Sequence, residues 1–238
     1  MKRAVILFGG LLAALPVAAA TAQVPPINSN ISASERPAFL DSLEQADRDR
    51  YQQLEGASQA RQALEAYGRC TAQRNHGEAS RVLGLDFTSS QYRTGLRMLS
   101  REAERRCAEE AVGNGQAMRS GNLLFAGAVA EALIEDDSTP LNVRLVQNAA
   151  TEAQTYSPTD AVAMCLARSL PDQVAAMFAA TPDSEDETQA IAPLMQAVPA
   201  CAQAVGLNAQ LELSVPALRA MIATASYRLL SSSGDSDA

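Results

Sequence analysis

Four cysteines, Cys70, Cys107, Cys165 and Cys201, have the clearest chemical capacity in this chain, and the intervals Cys70 to Cys107 and Cys165 to Cys201 are nearly equal. The count is even and no Cys-x-x-Cys pair occurs, so disulfide closure is expected rather than nucleophilic or redox chemistry. Sequence alone allows three pairings. Cys70 with Cys107 and Cys165 with Cys201 are the expected pairs, because two copies of one module would close the same loop.

Arg93, Arg97, Arg101 and Arg105, each four residues apart, form a possible anion-binding row along one drifting helical stripe, with Tyr92, Leu96, Leu99, Ala103 and Cys107 on another face. A phosphate-rich or carboxylated partner could lie along it. Glu102, Glu104, Glu109 and Glu110 stand close enough to neutralise much of the row, so a solvated face is the expected reading. Glu131, Glu135, Asp136 and Asp137 form the densest acidic stretch. Paired carboxylates can hydrolyse glycosides, but acids near a helix end are commonplace, and this stretch reads as an exposed terminus running into a linker.

His76 is the single histidine and sits in the turn-like Arg74-Asn75-His76-Gly77, so it is read as a loop residue. Alone it can build neither a histidine-rich metal site nor an obvious triad. Neither His-Glu-x-x-His, Gly-x-Ser-x-Gly, the phosphate-cradling Gly-x-x-x-x-Gly-Lys nor Gly-x-Gly-x-x-Gly occurs. Asp183 to Glu187 lacks the alternating oxygen ligands and central glycine of a calcium loop and reads as a capped helix start. No catalytic residue, metal site or cofactor is expected.

The elements that must position these residues are helical. Period-two runs of β-branched and aromatic residues are scarce, and only Leu211-Glu212-Leu213-Ser214-Val215 could be a short strand or an extended lead-in. A polar helix is expected from about Pro37 to Leu54, and another carries Leu64, Tyr67 and Cys70 on one face. Ser157-Pro158, Pro171-Asp172 and Ser184 followed by Glu185, Asp186 and Glu187 are helix starts. Ile191, Leu194, Met195, Val198 and Cys201 continue a helical face, which Pro193 and Pro199 are expected to kink or split.

Laid over one another, Phe125, Ala128, Val129 and Ala132 fall on Leu218, Met221, Ile222 and Ala225, both sets spaced i, i+3, i+4, i+7. With the cysteine intervals, this predicts an all-α chain of two tandem disulfide-stapled helical modules, 37–136 and 157–230, joined by a linker over 137–156. Phe125 and Leu218 are expected to be buried where the third helices of the two copies meet.

Lys2 and Arg3 precede an uncharged apolar run from Ala4 to Ala20 and the small-residue exit Ala20-Thr21-Ala22. That pattern predicts a signal peptide over 1–22, cleaved after Ala22, and a periplasmic or secreted chain. A flexible leader over 23–36 and a disordered tail over 231–238 are also expected. The net charge is −8, and loss of residues 1–22 would remove two cations and no acid. Such a balance opposes nucleic-acid or anionic-membrane binding. Lys2 is the only lysine, a bias that accords with an arginine- and alanine-rich genome. The absence of tryptophan leaves little for stacking sugars or bases.

The span from Cys165 to Cys201 followed by Ser214-Val215-Pro216-Ala217-Leu218-Arg219 resembles secreted α-helical bacterial proteins with paired cysteines. The resemblance covers roughly the last third of the chain; it implies export and carries no activity. These readings together point to a noncatalytic envelope component that binds an unknown protein or envelope partner, with no stable membrane insertion after signal removal. An enzyme acting on an envelope polymer through unidentified carboxylates, or a carrier of a small apolar ligand, are the alternatives.

Overall fold

Several helices begin where a serine supplies a substitute for missing backbone partners. A computed structural model describes residues 58–112, 120–208 and 211–232. The signal peptide, the leader and the helix expected over Pro37 to Leu54 lie outside the described residues. So does the tail from 233 onward. The first helix, α1, is described over 58–74 and is followed by α2 (His76–Leu83), α3 (Ser90–Val112) and α4 (Asn122–Glu135). Then come α5 (Leu141–Gln147), α6 (Pro158–Ser169), α7 (Pro171–Ala179), α8 (Glu185–Ala204) and α9 (Val215–Ser231). The fold is all-α, with no strand among the described residues. Residues 211–214 are the extended lead-in to α9, not a strand.

Ser157 Oγ accepts from Asp160 N at 3.1 Å, Ser184 Oγ from Glu187 N at 3.1 Å, and Ser214 Oγ from Ala217 N at 3.4 Å. Each satisfies one donor that a first helical turn leaves unpaired. Pro158, Pro171 and Pro216 occupy early positions where a missing N–H costs nothing. Ser89 Oγ accepts from Tyr92 N at 3.1 Å at the start of α3.

Three expectations are corrected. His76 is not in a loop: the chain bends only at Asn75, and His76 opens α2, exposed. Pro193 and Pro199 do not split α8, which runs unbroken from Glu185 to Ala204. Its buried Ile191, Leu194, Val198 and Cys201 pack on α6 and α7, and that burial outweighs the backbone bonds the prolines delete. The tail begins later than expected, because α9 includes Ser231 and the Ser232 hydroxyl donates to the Arg228 carbonyl at 2.7 Å. Within 137–156 the chain forms α5, whose Leu145 is fully buried and which packs on α7.

Cys70 on α1 is joined to Cys107 on α3, and Cys165 on α6 to Cys201 on α8, with Cα–Cα distances of 5.5 and 5.7 Å. These are the expected pairs. Two closed disulfides belong to an oxidising, extracytoplasmic setting. No helix among the described residues is long and apolar enough to cross a membrane.

The core sits around α4 and α9, which pack chiefly against each other, while α6 packs on α9. α4 is buried on nearly every side, from Phe125 through Glu131. Phe125 and Leu218 are buried, as expected, and the Phe125 ring lies 5.5 Å from that of Tyr67. The helices approach so closely that a Cβ on Gly127 would stand 2.5 Å from the Ala220 Cβ, and one on Gly68 would stand 2.5 Å from the Ala128 Cβ. Only glycine fits at either crossing.

Candidate functional site

Arg219 lies in the first turns of α9, beside Leu218 and Ala220, and is 4% exposed. A guanidinium carries five N–H donors, and here all five meet acceptors. Nε and Nη2 grip the two oxygens of Glu131 on α4, the first at 3.0 Å. Nη1 donates to the Ala180 carbonyl at 3.1 Å and to Glu187 Oε1 at 3.0 Å, and Nη2 to the Phe178 carbonyl at 3.4 Å. The guanidinium also lies 5.8 Å from the centre of the Phe178 ring. A single side chain thus joins α9 to α4, to the end of α7 and to α8.

Glu187 is the second hub, 1% exposed. Its Oε1 also accepts from Arg61 Nη2, and its Oε2 from Arg61 Nη1, both at 2.7 Å, which ties in α1. Oε2 further accepts from the Asp183 N–H at 2.7 Å. At the same helix start Ser184 Oγ accepts from the Glu187 N–H, while the Glu187 carboxylate reaches back past the cap to Asp183. Asp183 adopts φ 64°, a left-handed conformation uncommon outside glycine but tolerated by aspartate.

Burial alone would raise the Glu187 carboxyl, but the bonds from Arg61, Asp183 and Arg219 bring it below the ordinary range. Glu131 goes the other way. Desolvation pushes it up to about 8 against the pull of Arg219, and the neighbouring Glu65 carboxyl adds to the rise. Glu65 on α1 is itself raised by burial, with Arg219 and Arg61 opposing. The charge balance accords with the pattern: Arg61 and Arg219 face Glu65, Glu131 and Glu187, with Asp183 also 3.4 Å from Arg61, so carboxyl groups outnumber these two cations.

A second buried pair lies elsewhere in the fold. Arg228, two and a half turns along α9 from Arg219, donates to Asp160 Oδ1 on α6, while Asp160 Oδ2 accepts from the Tyr156 N–H at 2.9 Å. The Arg228 guanidinium lies 5.6 Å from the centre of the Tyr156 ring and 5.8 Å from that of Phe87. Next to the pair, a cleft of about 300 Å³ opens between the starts of α3, α4 and α6 and the middle of α9. Phe87, Tyr92, Leu123 and Met221 form its apolar wall, and Asp160 lies on its polar side. Tyr92 is 7% exposed, and burial pushes its hydroxyl up to about 12, Arg228 opposing and Asp160 assisting.

The structure places the sequence-predicted residues unevenly. Arg93, Arg97 and Arg101 are exposed on α3, opposite buried Tyr92, Leu96, Leu99, Ala103 and Cys107; the side chain of Arg105 lies outside those described. Arg93 Nη1 donates to the Thr88 carbonyl at 2.8 Å. Of the acidic stretch, Glu135, Asp136 and Asp137 are exposed, but Glu131 is not: it is 4% exposed and paired with Arg219, because α4 is enclosed all round. His76 stands apart from both buried ion clusters and lines a shallow recess with Arg69 and Glu135. No group of three or more metal-ligating side chains occurs among the described residues.

Sequence reasoning missed the two ion clusters. A signal for one was present: Leu123 to Ile134 is apolar except for Glu131, and a helix apolar on all sides must bury its one charge against a partner. Nothing local pointed to Arg219 as that partner. Compared with protein-family models, curated proteins and solved structures, the chain finds no match.

Proposed function

We propose that this chain is an exported, periplasmic or secreted, noncatalytic binding module built from two related halves. Carrying the reading is the state of the buried acids: Glu131, Glu187 and Asp160 are all held by arginines, so none stands unpartnered as a general acid or nucleophile would. The signal-like N-terminus and the two disulfides support export. The net negative charge gives nucleic acid and anionic membrane no purchase, leaving a protein or envelope component as partner.

Several observations support the internal repeat. Each half ties a long helix to a later one by a disulfide and starts the later helix on a serine, Ser89 for α3 and Ser184 for α8. The alignment that puts Phe125 on Leu218 also puts Gly127 on Ala220, and these two residues touch at the crossing of α4 and α9. Equivalent residues meet each other where two copies are related by a twofold axis.

The test sets binding against catalysis. Purified, oxidised protein is incubated with peptidoglycan and with envelope polysaccharide, and in parallel a photo-crosslinker is installed at surface positions in intact cells. Saturable crosslinks to one defined envelope component, without turnover, are expected. Polymer cleavage that disappears in Glu65→Gln, whose carboxyl has no side-chain hydrogen bond among the described residues, would replace the binding reading by an enzymatic one.

A further inference from the structure

The two halves treat one position in opposite ways. The alignment of the copies sets Arg61, Glu65 and Glu131 of the first half and Glu187 of the second against Tyr156, Asp160 and Thr224 of the second half and Tyr92 of the first. The first set closes on Arg219 and leaves only about 30 Å³ of space. Of the second, poorer in charge, Asp160, Thr224 and Tyr92 border the open cleft of about 300 Å³. That volume is twice that of an apolar cavity known to take up benzene, about 150 Å³, and stands at the lower end of small-molecule sites, about 300–1,000 Å³.

Three unspent donors border this cleft. Tyr92 lines it, more than nine-tenths buried, and its hydroxyl has no hydrogen-bond partner among the described residues. Arg93 lines it too; only its Nη1 is engaged among the described residues, leaving Nε and Nη2 free at the mouth. α4 begins at the cleft with Asn122 and Leu123, and its preceding residue Gly121 supplies no side-chain bond to the first-turn N–H groups. The one carboxylate present, Asp160, already holds Arg228 and the Tyr156 N–H. Leu123, 42% exposed, and Met221 offer apolar cover beside these donors.

We infer that this cleft binds a small carboxylic acid with an aromatic or aliphatic body, its hydrocarbon against Phe87, Leu123 and Met221 and its carboxylate accepting from Tyr92 and Arg93. The inference rests on the binding reading and specifies its ligand class. The Tyr92 hydroxyl, with no protein partner among the described residues, is free to donate to an acceptor that enters the cleft. An anion at a helix start beside an arginine gains from both the dipole and the charge.

The full oxidised chain is titrated calorimetrically at neutral pH with octanoate and 3-phenylpropionate, and with the matching alcohols, octanol and 3-phenylpropanol. The acids are expected to saturate a single site and to bind about tenfold tighter than the alcohols. Tyr92→Phe, which keeps the ring, and Arg93→Gln, at an exposed position, should each erase about fivefold of that preference with an unchanged melting temperature. Arg97→Gln, one turn further along α3, should leave it intact. Absence of saturable binding, alcohols binding as well as acids, or indifference to both substitutions would each overturn the assignment. A defined envelope crosslink found alongside such a failure would leave the binding reading standing, whereas polymer turnover would remove that reading itself.

Discussion

Removing Arg219 would strand Glu131, which has no other hydrogen-bond partner among the described residues, while Glu187 would keep Arg61 and the Asp183 N–H. Arg219→Met is therefore expected to cost about 1–3 kcal/mol, read as a lowered urea midpoint, because the buried Glu131 carboxyl and the Ala180 and Phe178 carbonyls lose their donor. Arg219→Lys should recover only part, since one ammonium cannot reach Glu131, Glu187 and two carbonyls together. The same cluster sets a pH dependence. Glu131 titrates at about 8 in the folded chain against an ordinary 4.5, so across that window the folded state holds a proton the unfolded state has released. Stability then falls as pH rises from about 4.5 to 8. Glu187, shifted downward, acts oppositely: its contribution is present above the ordinary glutamate value and is lost as pH falls through the lower folded one. Urea midpoints measured from pH 4 to 8 should thus peak near the acidic end, and Glu65→Gln, by removing the excess acid, should flatten the decline. Of this cluster only Glu131, the one charge between Leu123 and Ile134, left a mark in the sequence. Glu131 and Arg219 are 88 positions apart, and an arginine beside an apolar stripe looks the same in sequence whether it faces water or a carboxylate.

The starts at Ser157 and Ser184 were readable because their chemistry is local, each bonding an N–H three residues on; Ser214 does the same for α9 but lies in a stretch whose sequence allows a strand or a lead-in. The continuity of α8 through Pro193 and Pro199 was not, because a proline's local cost is offset by distant partners on α6 and α7. Helix crossings belong to this second kind. Gly127→Ala should destabilise by about 1–3 kcal/mol, since the new methyl meets both the Ala220 side chain and its Cα, and backbone must move to admit it. Gly77→Ala is the matched control. It lies in α2 with no atom within 4 Å of the added methyl, and should be neutral or stabilising by up to about 1 kcal/mol. Thermal melts of the two variants side by side would show whether close approach, rather than loss of glycine as such, governs the difference.

For the molecule as a whole, the cysteine intervals announced the pairing, since loops of near-equal length in a chain with no odd thiol leave few sensible alternatives. The near-equal intervals could not announce that an additional helix, α5, would pack between them. By the chain-entropy account, closing a loop of this length contributes about 4 kcal/mol. Replacing Cys165 and Cys201 together by serine should lower stability by about that amount, and peptide mapping of the wild-type chain without reductant should recover 70 with 107 and 165 with 201. Bonds between the two halves would contradict the repeat. The central place of α9 has a consequence for biogenesis. In the nascent chain α4 and α6 precede α9, on which both pack, so neither can complete its packing until α9 has been made. Under the export proposed above, such postponement keeps the chain passable through a narrow channel, and docking of α9 becomes the event that locks the structure on the far side.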